Sequence, residues 1–339
     1  MKVRKILSIV VVSLASLIVI AAVAIAITVF GFSRNREQQN YAPSQGQQAV
    51  SPVGDTVLFS QTSGASSFLY RKDPSSGKSV RLTNAANGIE SEATFSHNGK
   101  LVVYSFAESP ESKSSVWLVG IDGSNPHAIT GKDEDALHPV FSPDDSKVFY
   151  AASKFTGHHS PIVRPARHEW DVFSIPLQTG GTSTGIAPTQ ITNRSFYDLR
   201  SLDVAADGVN PGGTKLLIST TGYPIGALIE EFIVEDSGRG KIFQPHVSGE
   251  SSVGASYGEA RFINDGMDIL FLAATDTSGG MYDYNVYSMS DVTGQDIKQL
   301  THLKAMTKEL KVLPDRKATF VNGETAYLLD ISTQALKPL

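Results

Sequence analysis

The sequence of 339 residues contains no cysteine. No disulfide can form in it, and a lipid anchor attached to an N-terminal cysteine is excluded. Any stable domain in this chain is therefore held together without covalent cross-links.

Charge of either sign is also sparse. The formal net charge is −5, and no run of like charges is longer than Asp133–Asp135, which we assign to a solvated loop. A nucleic-acid-binding surface needs a basic patch or stripe. We therefore expect no nucleic-acid partner.

Long apolar stretches are absent except for one, Ile6–Phe32. A helix of about 27 residues is roughly 40 Å long, enough to cross a bilayer with tilt. The basic residues within 1–5 favour a cytoplasmic N-terminus and an exported remainder. A cleaved signal peptide is the alternative, because Ala22–Ala24 has the small-residue pattern of a cleavage site. We expect an uncleaved signal-anchor, since cleavage would leave apolar residues on the mature N-terminus.

This run divides the chain into a cytoplasmic tail (1–5), a transmembrane signal-anchor helix (6–32), a flexible linker (33–46) and an exported domain (47–339). The linker is polar, rich in glutamine and without apolar periodicity. The expected localisation is a single-pass membrane protein whose main domain lies on the extracytoplasmic side.

A short unit recurs through the domain, and its clearest copy is His138–Ser153, with the sequence HPVFSPDDSKVFYAAS. The run ending at Phe141 has strand composition, Pro143–Asp145 supplies turn chemistry, and Val148–Ala152 is the returning strand. One hairpin is not stable alone in water, so copies must pack together. The equivalent positions in six copies are Ser51, Ser96, Ser142, Ala205, Ile263 and Leu313.

Neighbouring copies are about 45 to 63 residues apart, a spacing within or slightly above that of propeller repeats. Each copy continues with two more short apolar runs, such as Val116–Asp122 and Ala128–Thr130 in the second copy. Four strands in each of six copies predict an all-β fold, a six-bladed β-propeller of four-stranded antiparallel blades.

The repeat resembles the WD-repeat-like propeller of TolB-type proteins. Ile121–Ser124, Phe141–Asp144 and Gln299–Thr301 carry the Asp-Gly, Phe-Ser-Pro-Asp and Leu-Thr parts of that pattern. The resemblance covers roughly residues 46–339 and implies the six-bladed fold. TolB-type chains carry a separate domain ahead of the propeller, which we do not expect here, so the resemblance does not extend to a role in the Tol system.

Two insertions, Lys154–Glu169 and Thr275–Tyr284, are predicted to be loops on the face where the inner strands begin. Loops carry function more often than the scaffold does. The candidate partner-binding residues in them are His158, His159, Arg164, Arg167, His168, Tyr282 and Tyr284. The histidines could also bind a metal, but the nearby arginines would repel a cation, which favours an exposed polar loop.

The repeat register also predicts a ring of polar residues at one mouth of the central channel. Four residues before each reference position stand Gln47, Glu92, His138, Ser201, Glu259 and Glu309. We name Glu92, His138, Glu259 and Glu309 as candidate ligand-binding residues. Three carboxylates and a histidine could hold Ca²⁺ through oxygen ligands or bind a basic peptide, and the alternative is a hydrated rim.

The expected function is a membrane-anchored, extracytoplasmic binding platform for a protein or peptide, such as another envelope protein, without catalysis. Fold alone does not assign chemistry. The alternative is a hydrolase or lyase that acts at the channel mouth, with or without a metal. The match of Gly254–Gly258 to G-x-S-x-G does not favour the enzyme, since a strand follows it and no helix.

Overall fold

The structure, a computed structural model, describes residues 48–50, 56–72, 76–157, 166–177, 186–209, 211–222, 226–235, 240–245, 257–278, 281–313 and 315–338. The chain divides into two compact units, Met1–Ala42 with Gly157–Ala166 and Pro43–Thr156 with Arg167–Leu339. Apart from Gly157 and Ala166, every described residue belongs to the second unit. None of the described residues forms a helix long and apolar enough to cross a membrane; the predicted span 6–32 and linker 33–46 lie outside them.

The described residues form strands joined by turns and loops, and no helices. The strands are β1 (Gln48–Val50), β2 (Val57–Ser63), β3 (Ser66–Lys72), β4 (Ser79–Arg81), β5 (Ile89–Phe95), β6 (Leu101–Ala107), β7 (Ser114–Gly120), β8 (His127–Ala128), β9 (Asp135–Phe141), β10 (Lys147–Gly157), β11 (Ala166–Pro176), β12 (Thr189–Gln190), β13 (Asp198–Ala206), β14 (Thr214–Gly222), β15 (Gly226–Ile233), β16 (Gly240–Phe243), β17 (Tyr257–Ile263), β18 (Asp268–Ser278), β19 (Met281–Ser290), β20 (Lys298–Gln299), β21 (Thr307–Leu313), β22 (Lys317–Asn322), β23 (Thr325–Asp330) and β24 (Leu336–Pro338).

These strands form consecutive groups of four, in which each strand pairs with the next one along the chain. We call the groups blades 1 to 6: β1–β4, β5–β8, β9–β12, β13–β16, β17–β20 and β21–β24. A single parallel pair, Ser67 with Ile89, joins the first two into one sheet. The predicted all-β fold of four-stranded antiparallel blades is confirmed.

The first strands of the blades form a closed ring. Each of β1, β5, β9, β13, β17 and β21 lies against the first strands of the blades before and after it, and β21 lies against β1. Within the described residues β1 pairs only with β2, and β24 only with β23. Blades 6 and 1 therefore meet through their inner strands, without exchanging a strand.

The core lies between neighbouring blades, and Phe141 shows how the repeat fills it. Phe141 is 2% exposed and packs with Val103 and Leu118 of blade 2 as well as Val148 of its own blade. Phe95 occupies the matching position between blades 1 and 2. Both contacts confirm the register read from the repeat.

In blades 3 and 5 the apolar-Thr pair of the repeat closes the blade with a buried hydrogen-bonded clip. In blade 3 the Thr192 hydroxyl accepts from Val172 N at 2.8 Å and donates to Asp171 Oδ1 at 2.9 Å. In blade 5 Thr301 makes the same contacts with Val286 N and Asn285 Oδ1, both at 2.9 Å. The threonine thus fastens the outermost strand region to the third strand.

The two predicted loops are shorter than expected because the flanking strands continue into them. β10 extends to Gly157 and β11 begins at Ala166. β18 extends to Ser278 and β19 begins at Met281, with Ser278 and Met281 paired. The prediction of a loop over Thr275–Tyr284 is therefore wrong, because the pairing of β18 with β19 continues through Asp276–Asp283 and Thr277–Tyr282.

Candidate functional site

The inner strands all begin at the same end of the ring, and there they are interrupted by β-bulges. Register shifts lie between Ser91 and Thr94 in β5 and between Lys308 and Lys311 in β21, with matching shifts in blades 3, 4 and 5. A bulge re-aims the side chains around it.

The predicted ring residues sit at these bulges. Glu92, His138 and Glu309 have φ values of 55°, 55° and 61°, a conformation that costs free energy in a residue other than glycine and that recurs at functional sites. We call Glu92, His138, Ser201, Glu259 and Glu309 the channel mouth. Gln47, the sixth predicted position, lies outside the described residues.

Glu92 and His138 form an ion pair between blades 2 and 3. Glu92 Oε1 lies 2.9 Å from His138 Nδ1, and Glu92 Oε2 accepts from His138 N at 2.7 Å and from the Ser105 hydroxyl at 3.0 Å. His138 Nε2 lies 3.2 Å from Leu199 O in blade 4. Both ring nitrogens face acceptors, and only the protonated imidazolium can donate to both.

The pKa values of this pair move in the directions that favour its charged form. Burial by itself would raise the pKa of Glu92, but the charge and hydrogen bonds of His138 outweigh it and lower the pKa to about 2. Burial would lower the pKa of His138, and Glu92 reverses this, so that the pKa is raised. Both shifts therefore favour the carboxylate–imidazolium form of the pair.

Glu259 and Arg261 form the second ion pair of the site. Arg261 Nη2 donates to Glu259 Oε2 at 2.9 Å, and Arg261 Nη1 donates to Ala260 O at 2.8 Å. The other oxygen, Glu259 Oε1, accepts from Glu309 N in blade 6 at 2.6 Å.

A repeated cross-blade contact runs through the channel mouth. A polar side chain of one blade accepts from a backbone N–H at or beside the bulge of the next blade. The contacts are Glu92 with His138 N, Ser201 Oγ with Ala260 N, and Glu259 with Glu309 N. The bulges therefore position the mouth residues by fastening neighbouring blades together.

Glu309 departs from this pattern. Its side chain is only 5% exposed, and among the described residues no donor forms a hydrogen bond with either of its buried carboxylate oxygens. The nearest cation, Lys308 Nζ, is 3.8 Å from Oε1. Burial raises the pKa of Glu309 to about 7, and the charge of Glu259 adds to the rise while Lys308 and Lys311 oppose it.

Two residues further along each inner strand lies a second layer, which sequence reasoning missed. Its members are Thr94, Val140, Asp203, Arg261 and Lys311, all half-buried. Asp203 Oδ2 accepts from Phe262 N at 2.7 Å, and burial raises its pKa despite the opposing charge of Arg261. The period of two along a strand, applied to the mouth positions, would have identified this layer.

Lys311 lies near charged groups from three other blades. Burial and the charge of Arg261 lower its pKa, while Glu259, Glu92 and Asp203 raise it. Charged groups on blades 2, 4 and 5 therefore act on the pKa of this lysine of blade 6.

Three of the loop candidates have side chains that pack against the rest of the domain. Arg167 Nε contacts Asp135 Oδ2 at 2.8 Å and its Nη2 donates to Ser112 O at 2.8 Å. His168 is buried, with Nδ1 2.9 Å from Tyr197 O. Tyr284 belongs to the core between blades 5 and 6. These three side chains therefore contribute little exposed loop surface.

The side chains of the other loop candidates are not among those that the structure describes. His158, His159 and Arg164 lie outside the described residues, and Tyr282 is placed by its backbone, paired with Thr277. Over the described ranges, no three His, Cys, Asp or Glu side chains are grouped so that they could hold a metal ion. Ca²⁺ in the channel stays a prediction from the sequence.

No protein-family model and no curated protein matches the sequence. Among solved structures, TolB from Acinetobacter baumannii aligns with a TM-score of 0.57 and 13% identity over 88% of this chain and 64% of TolB. An oligogalacturonate lyase in complex with manganese aligns with a TM-score of 0.55 and 13% identity over 86% of this chain and 75% of the lyase. A Mycobacterium tuberculosis puromycin-hydrolyzing peptidase aligns with a TM-score of 0.58 and 13% identity over 88% of this chain and 47% of the peptidase.

The chain thus spans less than two thirds of the length of TolB. At these identities the likeness establishes architecture and not activity. The ring of four-stranded blades and its structural relatives agree on the architecture: the chain has the fold of a TolB-like β-propeller.

Proposed function

We propose that this chain is a membrane-anchored, extracytoplasmic β-propeller that binds a protein or peptide at the channel mouth and the loops beside it. The observation that carries the proposal is the convergence of polar side chains from five blades, four of them contributing a charged residue, at one end of the ring. Within that group Glu309 is buried, and neither of its carboxylate oxygens accepts a hydrogen bond from a described residue. A buried polar group without a partner is costly, and a ligand that supplies one would relieve that cost.

The fold and the sequence support the remaining parts of the proposal. This chain aligns with only part of TolB. A binding role taken from TolB is therefore an inference by analogy of fold. The anchor rests on Ile6–Phe32, whose length suits a bilayer span. An anchored propeller outside the cytoplasm would meet envelope proteins or peptides as its natural partners.

The test is photo-crosslinking from two matched positions on blade 2. Lys132 is exposed in the loop between β8 and β9, on the mouth face, and Lys100 is exposed in the turn between β5 and β6, at the other end. A crosslinker at Lys132 should trap one defined partner in intact cells, whereas one at Lys100 should not. Equal products from the two positions, or none from either, would contradict a binding face at the mouth.

A hydrolase or lyase is the second candidate, and one observation favours it. Burial raises the pKa of Glu309 to about 7, which is the range suited to a general base at neutral pH. Two structural relatives carry the names of a lyase and a peptidase. Screening the purified chain for polysaccharide lysis and peptide hydrolysis, with Glu309→Gln as the control, tests this candidate. Activity that survives the substitution would exclude Glu309 as the base.

A further inference from the structure

Glutamates occupy three equivalent positions of the channel mouth, and two of them contact a cationic nitrogen. Glu92 Oε1 lies 2.9 Å from His138 Nδ1. Glu259 Oε2 lies 2.9 Å from Arg261 Nη2. The chain therefore satisfies a glutamate at this position of the repeat with a charged N–H donor, and it does so in two different blades.

The third glutamate, Glu309, lacks such a contact. Its side chain is 5% exposed, and the nearest cationic nitrogen among the described residues, Lys308 Nζ, is 3.8 Å from Oε1. This distance is longer than a hydrogen bond, and neither carboxylate oxygen accepts a hydrogen bond from a described residue. A buried carboxylate without a donor is costly, so a donor from a ligand would stabilise Glu309.

We infer that Glu309 is a subsite for a cationic N–H group of the bound peptide, which is a Lys or Arg side chain or the N-terminal ammonium. This inference rests on the proposed function and names the chemistry of its ligand. The ligand would supply the kind of contact that the chain itself supplies to the two equivalent glutamates. Hydrogen bonds between charged partners are also stronger than those between neutral ones.

The charge of the two layers favours a cationic ligand. Their described charged residues are four acids and three basic residues: Glu92, Asp203, Glu259 and Glu309 against His138, Arg261 and Lys311. A positive charge from a ligand would balance this group, whereas a negative charge would add to its excess.

Lys308 can make way for the ligand. Its side chain is 49% exposed, and a lysine carries its ammonium on a flexible four-carbon stem. The Lys308 ammonium can therefore move into solvent when a nitrogen of the ligand approaches Glu309.

The experiment measures the binding of short peptides to the full-length chain in detergent by fluorescence anisotropy. The probes share the sequence Gly-Ser-Xaa-Ser-Gly with a fluorophore at the C-terminus. In three of them the N-terminus is acetylated and Xaa is lysine, arginine or the neutral norleucine; the fourth has norleucine and a free N-terminus. A pH of 7.5 lies above the pKa of about 7 to which burial raises Glu309 and below that of a peptide α-amino group.

At least one of the three cationic probes should bind about tenfold more tightly than the acetylated norleucine probe. The probe that does so identifies the source of the cation as a lysine, an arginine or an N-terminus. If no cationic probe binds more tightly than the neutral one, the inference is overturned.

Two substitutions locate the subsite. Glu309→Gln keeps the shape of the side chain and removes its charge, so it should lose about tenfold in affinity for the cationic probe and leave the binding of the neutral probe unchanged. Glu324→Gln is the matched control, because Glu324 is an exposed acid of the same blade in the turn between β22 and β23, on the mouth face. It should change binding less than about twofold. Similar losses in both variants, or no loss in Glu309→Gln, would contradict the assignment.

These outcomes are separable from those of the proposed function. If the Lys132 crosslinker traps a partner but no cationic probe binds more tightly than the neutral one, the platform stands and the subsite fails. If no partner is trapped but a cationic probe binds through Glu309, the subsite stands without the platform.

Discussion

Glu92 and Glu309 occupy equivalent bulge positions of two inner strands, yet their pKa values move in opposite directions. Glu92 has an imidazolium and two hydrogen-bond donors against it, and its pKa falls to about 2. Glu309 is buried without such donors, and its pKa rises to about 7. The residue type was the same in the sequence, and only its neighbours in the ring distinguish a structural acid from one open to a ligand.

The unpartnered carboxyl of Glu309 makes stability depend on pH. Its pKa is raised from 4.5 to about 7, so the folded state binds the proton more tightly and loses stability as the pH rises through that interval. Glu309→Gln removes this loss, and it should gain on the order of 2–3 kcal/mol over the wild type at pH 8 relative to pH 4.5. Urea unfolding midpoints at the two pH values measure the difference.

The matched control is the exposed Glu111→Gln on the loop between β6 and β7. Its difference from the wild type should be the same at both pH values. If the stability difference between Glu309→Gln and the wild type is also the same at both pH values, the Glu309 carboxyl has a hydrogen-bond partner in solution.

Phe141 tests the packing between blades. It is 2% exposed and touches side chains of two blades, so truncation to alanine removes buried area and leaves a cavity. Phe141→Ala should lower the free energy of unfolding by about 3–5 kcal/mol. The control Val80→Ala, at a side chain that is 51% exposed, should stay within about 0.5 kcal/mol of the wild type. If Phe141→Ala lowered the free energy of unfolding by less than about 1 kcal/mol, the Phe141 side chain would lie outside the core.

The elements show what a repeat can and cannot predict. Phe95 and Phe141 were identified because apolar residues recur at a fixed register, and that register alone places them between blades. Lys311 was missed because the ring was read at one position per strand, whereas side chains on one face of a strand recur every second residue. The ends of β18 and β19 were missed because the polar residues there have no apolar alternation to mark a strand.

Ion pairing within the ring could not be read from the sequence at all. His138 and Glu92 are far apart in the chain, and a bulge in each strand decides which way each side chain points. Bulges depend on the tertiary pairing of strands, so a repeat pattern identifies which residues line the mouth and not which of them are free.

The contribution of the threonine clip to the free energy of unfolding can be measured with a single substitution. Thr192 is buried and serves both the Val172 N–H and Asp171. Thr192→Val keeps the shape and leaves both groups without this partner, which should cost about 1–3 kcal/mol. Chemical denaturation provides the measurement, with Thr189→Val at an exposed position of β12 as the matched control. Equal stability of the two variants would show that Asp171 finds compensation elsewhere.

At the scale of the whole molecule, closure of the ring follows from the contact between β21 and β1. Blades 6 and 1 share no strand in the described residues, so this seam depends on face packing between inner strands. It also lies beside Glu309, whose carboxylate accepts no hydrogen bond within the part of the chain that the structure describes. A ligand that engages Glu309 would therefore act at the seam as well as in the channel.

The proposed membrane attachment rests on the apolar run Ile6–Phe32. If this run is an uncleaved anchor, arginines at Leu14 and Ile18 oppose insertion, because each charge near the centre of a span costs about 2.5–3.5 kcal/mol. Leu14→Arg with Ile18→Arg should move the protein from the membrane pellet to the soluble fraction, whereas Gln39→Arg with Ser44→Arg in the linker should leave it in the pellet.

Protease added from outside should digest the wild-type propeller in permeabilised envelopes with an intact inner membrane. Full protection there, with digestion only from the cytoplasmic side, would reverse the proposed orientation.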